Sequence, residues 1–160
     1  MPRSALYKNI MSKKPNILLT DDEDTFRNIM AKELTRMGYN VVSCASGSET
    51  INTLHERDFD VVILDMNMPV MGGIETLKRV KEMEPTTEVI VLTGQGSIES
   101  AVQARKSGAY DYLTKPCRLS ELDALLQKAL EKRQLNRENA HLRRLVKGIG
   151  KTPVLIGNSM

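Results

Sequence analysis

Acidic residues end two of the apolar runs in this chain, and they are the residues best suited to chemistry. Asp65 follows the run Val61–Leu64, and Asp21 and Asp22 come shortly after the run Ile17–Leu19. Apolar runs of this length are typical of buried strands in a parallel sheet. Ligands bind at the carboxyl ends of the strands in such a sheet. The three carboxylates are therefore predicted to face one ligand-binding edge.

Two further strand ends carry a hydroxyl and an ammonium. Thr93 ends the run that starts at Val89, and Lys115 follows the segment Tyr110–Leu113 after one threonine. A hydroxyl and an ammonium at this edge could meet the negative charge of a phosphoryl group. The edge is therefore predicted to combine acidic, hydroxyl and basic groups.

The acidic residues suit a magnesium ion. Carboxylates that lie close together resist joint ionisation unless a cation sits among them. Asp21, Asp22 and Asp65 are hard oxygen ligands, and Asn67 can add a backbone carbonyl, a donor set that fits Mg²⁺. With Lys115, these charges nearly cancel, so the site could accept a transferring phosphoryl group. An Asp carboxylate can act as the nucleophile and form an aspartyl-phosphate.

Each residue taken alone also has an ordinary structural interpretation. Acidic residues after strands are common helix caps, and Asp22 or Asp24 could simply cap the first helix. All four motifs at the same predicted edge are harder to explain as caps.

Strand and helix patterns alternate along the chain. Strands are predicted near residues 16–20, 40–45, 60–64, 88–93 and 110–114. The helices between them are marked by apolar spacing and by capping patterns, such as Ser46 with Glu49. This alternation predicts an α/β fold, with right-handed crossovers and a parallel sheet covered on both faces.

The last helix is predicted to be unusually long. It starts near Leu119, with Ser120 and Asp123 at cap spacing, and continues to about Lys147. Its second half carries a stripe with the alternating four- and three-residue spacing of a coiled-coil seam, formed by Leu135, Asn139, Leu142 and Val146. An Asn in such a seam favours a parallel dimer. The alternative is a linker helix without a partner.

Composition indicates a globular protein. The chain has 160 residues, 41% of them hydrophobic, and no apolar run approaches the roughly 20 residues of a membrane span. Its basic start lacks the apolar core of a signal peptide, so a cytoplasmic protein without membrane contact is expected. Cys44 and Cys117 are expected to be reduced, and His55 and His141 to lie on the surface.

Charge is distributed unevenly along the chain. Residues 15–117 contain 10 Lys or Arg and 16 Asp or Glu, whereas residues 127–151 contain 8 and 2 respectively. A basic tail can bind nucleic acid, but its interleaving with Leu and Glu favours a solvated helix flank. No direct nucleic-acid contact is therefore predicted for this chain.

The motifs at these strand ends resemble those of the receiver domain of two-component response regulators. The matching segments read LLTDDED, VVILDMNMPVMGG, VIVLTGQG and YDYLTKP. The resemblance covers roughly residues 15–130 and implies a flavodoxin-like, doubly wound sheet of five parallel strands in the order 2-1-3-4-5. It also implies that a histidine kinase, with Mg²⁺ present, transfers a phosphoryl group to an Asp. Partner specificity would lie on the first helix near Phe26, Arg27 and Met30.

The resemblance assigns a role to each matching residue. Asp65 would be the phosphoacceptor. Asp22, Asp65 and the Asn67 carbonyl would hold Mg²⁺, with Asp21 acting through water. The phosphoryl group would contact Lys115, whose bond to Pro116 is often cis in this family. The switch residues would be Thr93 and Tyr112, which repack the face of the fourth helix, fifth strand and fifth helix.

The tail resembles the junction into the ATPase domain of NtrC-type, sigma-54-dependent activators, because LIG-S-M follows a long helix. This resemblance predicts four segments: a disordered lead-in (1–14), a receiver domain (15–130), a linker helix (131–147) and the start of a missing ATPase domain (148–160). A homodimer through the fourth-helix and fifth-helix face and the linker is expected. The chain alone is not expected to be an enzyme.

Two other functions compete with this interpretation. Asp65-x-Asn67 could belong to a small Mg²⁺-dependent phosphatase of the haloacid-dehalogenase type, but that motif usually follows the first strand and has a second Asp at its end. A purely structural dimerisation module is the other alternative, and the complete set of site residues argues against it.

Overall fold

The computed structural model describes residues 14–149, apart from Pro69 and Gln95. The predictions for residues 1–13 and 150–160 lie outside the described residues. Gln95, two residues after Thr93, also lies outside them.

Within the described residues, five parallel strands form one sheet, and five helices connect or follow them. The strands are β1 (Asn16–Thr20), β2 (Asn40–Cys44), β3 (Val61–Asp65), β4 (Glu88–Thr93) and β5 (Asp111–Thr114). The helices are α1 (Asp24–Arg36), α2 (Gly47–Glu56), α3 (Gly73–Met83), α4 (Ile98–Lys106) and α5 (Leu119–Ile149). The strand order is β2-β1-β3-β4-β5, and every neighbouring pair is parallel. The predicted doubly wound α/β fold is confirmed.

Alternating side chains along the strands build two cores, one on each face of the sheet. Ile17 and Leu19 of β1 point into the core that α1 and α5 cover, whereas Leu18 points into the core beneath α2, α3 and α4. This period of two, together with near-complete burial of β3 and β4, explains why those strands are continuous apolar runs.

Helix ends agree with the sequence in some places and differ in others. The Ser46 side chain caps α2 by accepting from the Glu49 N–H at 3.2 Å. Neither Asp22 nor Asp24 caps α1, because the N-cap position is Glu23. The prediction that Ser120 caps α5 is wrong, since the helix already begins at Leu119. The backbone N–H groups of Glu121 and Leu122 bond instead to the backbone carbonyl of Arg118.

The long helix α5 has two halves with different surroundings. Leu122, Leu126 and Ala129 are buried against the sheet. The predicted seam residues are exposed in the single chain, with exposed fractions of 59% for Leu135, 55% for Leu142 and 63% for Val146. Among the described residues, no helix combines the length and apolarity required to cross a membrane.

Candidate functional site

The three predicted carboxylates converge at the carboxyl edge of the sheet. Asp21 follows β1, Asp65 ends β3, and these two strands are neighbours paired in register. One carboxylate oxygen from each of Asp21, Asp22 and Asp65 lies within 4.8 Å of the other two. Asp21 and Asp65 are buried, whereas Asp22 is exposed, so the cluster has two inner ligands and one at its mouth.

Lys115 is the cation of this cluster. Its ammonium donates to Asp21 Oδ2 at 2.5 Å and lies 3.8 Å from Asp65 Oδ1. The side chain is only 17% exposed, and its ammonium also lies 4.1 Å from the centre of the Phe26 ring. Its backbone N–H donates to the Thr93 carbonyl, and the bond to Pro116 is cis, as the resemblance implies. Lys115 therefore pairs most closely with Asp21 rather than with Asp65.

The first turn of α1 supports Asp21 from the other side. Asp21 Oδ1 accepts from the Glu23 N–H at 2.9 Å, and Arg27 donates to the Asp21 backbone carbonyl at 2.7 Å. Arg27 also pairs with Asp24 at 2.5 Å. These contacts hold the Asp21 carboxylate in place beside the lysine, which leaves Asp65 with less compensation.

The electrostatics of the site reflect this shortage of positive charge. The pKa of Asp65 is raised from 3.8 to about 6, chiefly because the carboxyl is buried and next because Asp21 repels its charge. A hydrogen bond with the Asp22 carboxyl raises the pKa further, whereas the Asn67 N–H and Lys115 lower it. Three carboxylates face one ammonium here, so a divalent cation would relieve the repulsion. The donor set fits a magnesium ion, which favours carboxylate oxygens and water.

The loop after β3 holds the buried Asp65 carboxylate at the edge of the sheet. Asp65 Oδ1 accepts from the Asn67 N–H at 3.2 Å. At the start of α3, a Cβ on Gly73 would lie 2.6 Å from Met66 Cα and 2.8 Å from the Asp65 carbonyl oxygen. Only glycine permits this approach. A Cβ on Gly72 would meet nothing within 4 Å.

Thr93 and Tyr112 lie on neighbouring strands beside the loop after β4. Thr93 is buried, and its register partner on β5 is Thr114. A Cβ on Gly96 would lie 2.5 Å from Thr114 Oγ1 and 3.4 Å from the Tyr112 hydroxyl oxygen. The tyrosine ring therefore reaches the β4–α4 loop, and any rearrangement of that loop meets the ring.

The structure brings together the predicted residues Asp21, Asp22, Asp65 and Lys115. Asn67 is exposed and contacts the cluster through its N–H. The contact between the Lys115 ammonium and the Phe26 ring was not predicted from the sequence. The position of Phe26 two residues into α1, next to the acidic pair, was the available signal for that contact. Met30 is buried at 7% exposure, so it cannot offer a surface for partner specificity; its neighbour Ile29 is 59% exposed.

Comparisons with known proteins point to one family. The family model described as the response regulator receiver domain matches residues 17–127. The transcriptional regulatory protein ZraR of Escherichia coli O157:H7 is 42% identical over 115 residues, which cover 72% of this chain and 26% of ZraR. The C4-dicarboxylate transport transcriptional regulatory protein DctD of Rhizobium meliloti is 36% identical over 152 residues, which cover 91% of this chain and 33% of DctD.

A solved structure gives the same result. The crystal structure of NtrX from Brucella abortus is 30% identical with a TM-score of 0.76, and the match covers 92% of this chain and 32% of that one. The chain thus spans about a quarter to a third of the length of the curated relatives described here. With a matching family model over most of the sheet and helices, the chain belongs to the family of response regulator receiver domains.

Proposed function

We propose that Asp65 is the phosphoacceptor of this receiver domain. The observation that carries the proposal is the convergence of Asp21, Asp22 and Asp65 beside the Lys115 ammonium. A carboxylate oxygen of Asp65 attacks the phosphorus of a phosphohistidine in a sensor histidine kinase. The bond from phosphorus to the histidine nitrogen breaks as the new P–O bond forms, and the imidazole leaves.

Mg²⁺ is the proposed cofactor, held by Asp22, Asp65 and the carbonyl of Asn67, with Asp21 acting through water. When bound, the ion offsets the negative charge that develops on the transferring group. The raised pKa of Asp65 supports this assignment, since it marks a carboxyl that lacks enough positive charge around it.

Lys115 and Thr93 are the proposed phosphoryl-binding residues. Lys115 lies 3.8 Å from Asp65 and 2.5 Å from Asp21, so a modest shift would move its ammonium towards new phosphate oxygens. The Thr93 hydroxyl would follow the same charge, and Tyr112 would turn into the space that opens. The contact of Tyr112 with the β4–α4 loop supports its role as the second switch residue.

The switch is proposed to act through dimer formation. Ile98 is 85% exposed and Val102 is 44% exposed on α4, which supports a contact through the α4 and α5 face. The exposed stripe of Leu135, Asn139, Leu142 and Val146 would continue that contact along the linker helix. A second copy of the chain is the proposed partner of both surfaces.

In the whole protein, this domain is proposed to regulate sigma-54-dependent transcription from the cytoplasm. Residues 15–130 would be the receiver domain and residues 131–147 the linker helix. On this proposal the receiver domain itself is not an enzyme, does not contact nucleic acid directly and has no membrane partner.

Phosphorylation by a small donor tests the acceptor directly. The chain is incubated with Mg²⁺ and acetyl phosphate, and its intact mass is measured. We expect one phosphoryl adduct that is stable in acid and labile in base, and Asp65→Asn should abolish it. The matched control is Asp58→Asn, which removes a carboxylate at the opposite edge of the sheet and should leave the adduct intact. Rapid multiple turnover of the donor without an adduct would favour the phosphatase alternative instead.

A further inference from the structure

The amino edge of the sheet, opposite the candidate site, holds a second group of charged residues. Asp60 lies directly before β3, and Glu88 begins β4. Glu88 is 1% exposed, and its carboxylate lies 3.6 Å from Lys132 Nζ and 3.8 Å from Lys81 Nζ. The Arg133 guanidinium donates to Asp60 Oδ1 at 2.9 Å. Lys132 and Arg133 of α5 thus pair with acids at the amino ends of two neighbouring strands.

The Arg133 contact is the more deeply buried of the two. Arg133 is 7% exposed, although it lies in the basic stretch that follows the docked half of α5. Within the described residues, its Nε atom has no hydrogen-bond partner. Asp60 Oδ2 accepts from the Asn16 N–H at 2.7 Å, so the acid is tied to β1 as well. A buried ion pair of this kind resists separation, because either partner left alone is a buried charge without compensation.

These pairs divide α5 at a definite point. The docked half starts beside Lys115 and Pro116 at the candidate site and ends at Arg133 on the opposite edge. Beyond that point Leu135 is 59% exposed, and residues 141–147 are all exposed. At 1.5 Å per residue, the docked and free halves are each about 20 Å long. The helix is therefore packed against the sheet along its first half, and the two ion pairs mark the last point at which the sheet holds it.

We propose that the Arg133–Asp60 and Lys132–Glu88 pairs are the pivot of α5. This inference rests on the proposed function, because the movement it converts starts when Lys115 shifts towards phosphorylated Asp65. A shift at the start of α5 then rotates the helix about the pivot. The exposed half moves in the opposite direction by a similar distance. The rotation of α5 about these pairs thus transmits the change at the site to the exposed half of the helix, which does not contact the site.

Distance measurements on the whole chain test the pivot. Spin labels are placed at Asn52 on α2 and, in separate proteins, at Ser120, Arg137 or Arg144, all exposed positions, in a Cys44→Ala, Cys117→Ala background. Distances are compared before and after activation with Mg²⁺ and beryllium fluoride, a mimic of the phosphoryl group. We expect the change to be smallest at Arg137, beside the pivot, and larger at both ends. Equal changes at all three positions, or a change at Arg144 alone, would overturn the pivot.

Arg133→Met removes the buried pair, with Lys128→Met as the matched control at an exposed position five residues earlier in α5. In the resting protein, we expect Arg133→Met to accelerate amide hydrogen exchange across residues 127–140 several-fold, and the control to leave it unchanged. On activation, the minimum at Arg137 should disappear. Lys132→Met, at a half-exposed residue, gives a weaker form of the same result should Arg133→Met fold poorly. Unchanged exchange and an unchanged minimum in both variants would contradict the proposal.

The two hypotheses fail in different ways. An absent phosphoryl adduct on the unmodified chain, measured by mass, would reject the acceptor assignment, whereas an adduct that forms without a distance minimum at Arg137 would reject the pivot alone. An adduct that forms normally in Arg133→Met while the minimum at Arg137 disappears would support both.

Discussion

The two edges of the sheet carry the same kinds of charged residue but differ in how their charges are paired. At the carboxyl edge, Asp21 and Asp65 share the Lys115 ammonium, and the Asp22 carboxylate lies close to both acids. At the amino edge, the carboxylates of Asp60 and Glu88 are met by three cationic side chains, those of Lys81, Lys132 and Arg133. Carboxylates at strand ends therefore do not mark function by themselves. The difference is that Asp65 shares its cation with Asp21, whereas Asp60 and Glu88 pair with different cationic side chains.

The difference also appears in the response of each edge to a lost charge. Removal of one partner from a buried ion pair strongly destabilises the folded protein. Removal of a buried carboxylate that its neighbours repel should instead stabilise the folded protein. The same type of substitution should thus have opposite effects on the stability of the protein at the two edges.

The largest effect is expected at the amino edge. Arg133→Met should lower the free energy of unfolding by about 3–5 kcal/mol, because it leaves the half-buried Asp60 carboxylate without its cation. Urea denaturation measures the change. Arg133→Met combined with Asp60→Asn should recover part of the loss, since no unpaired charge remains. A loss in the double variant as large as the sum of the two single losses would show that the pair does not act as a unit.

The next effect comes from the backbone at the carboxyl edge. Gly73→Ala should lower the free energy of unfolding by about 1–3 kcal/mol, because its Cβ would collide with the backbone of Met66 and Asp65. It should also reduce the yield of phosphoryl adduct, since the carboxylate moves with that backbone. The control is Gly72→Ala at the adjacent open position, for which we expect little change in either measurement. Equal effects of the two alanines would refute the close approach at Gly73.

Sequence patterns predicted the carboxyl edge better than the amino edge for a physical reason. Strand ends can be read locally, and parallel strands place Asp21, Asp65 and Lys115 at one edge whatever the details of packing. Arg133 gave no such signal, because its partner Asp60 is 73 residues away in the sequence. It was therefore grouped with a solvated basic tail. The contact of Lys115 with Phe26 was also missed, because an aromatic residue in a helix is first interpreted as part of the face that packs into the core.

Backbone requirements were only partly visible in the sequence. Gly38 follows α1 with a φ of 104°, a conformation that glycine adopts without a steric penalty. The positive φ of 65° at Val70 could not be predicted from its residue type, because β-branched residues rarely adopt such a conformation. Glycines mark such positions by their type, whereas a valine in the same conformation can be recognised only from the structure.

A smaller effect of opposite sign is expected from Asp65→Asn in the absence of Mg²⁺. The pKa of Asp65 is raised to about 6 in the folded protein, above its ordinary 3.8, so folding favours the protonated form. The loss of stability from ionising Asp65 in the folded protein is absent below pH 4. It grows as the pH rises from about 4 to about 6 and is complete above that range. Asp65→Asn should then stabilise the protein by about 1–3 kcal/mol at pH 7.5 and much less at pH 4.

Added Mg²⁺ sharpens this comparison. It should raise the stability of the unmodified chain at pH 7.5 by about 1.4 kcal/mol at ten times its dissociation constant, and that of Asp65→Asn by less. Thermal unfolding with and without a chelator measures both differences. A stability difference between the two chains that does not change between pH 4 and 7.5 would rule out the raised pKa as its origin.

The smallest effect concerns strain in the loop after β3. Val70 is fully exposed with a φ of 65°, so its side chain gains no packing to offset an unfavourable backbone conformation. Val70→Gly should raise the midpoint of thermal unfolding by a few degrees, because glycine adopts this conformation without a steric penalty. Val102→Gly, at an exposed valine inside α4, is the control and should lower the midpoint. A fall at both positions would mean that the strain at Val70 is smaller than the entropy that glycine adds to the unfolded chain. A rise at Val70 alone would place backbone strain, like unbalanced charge, at the edge that carries the proposed chemistry.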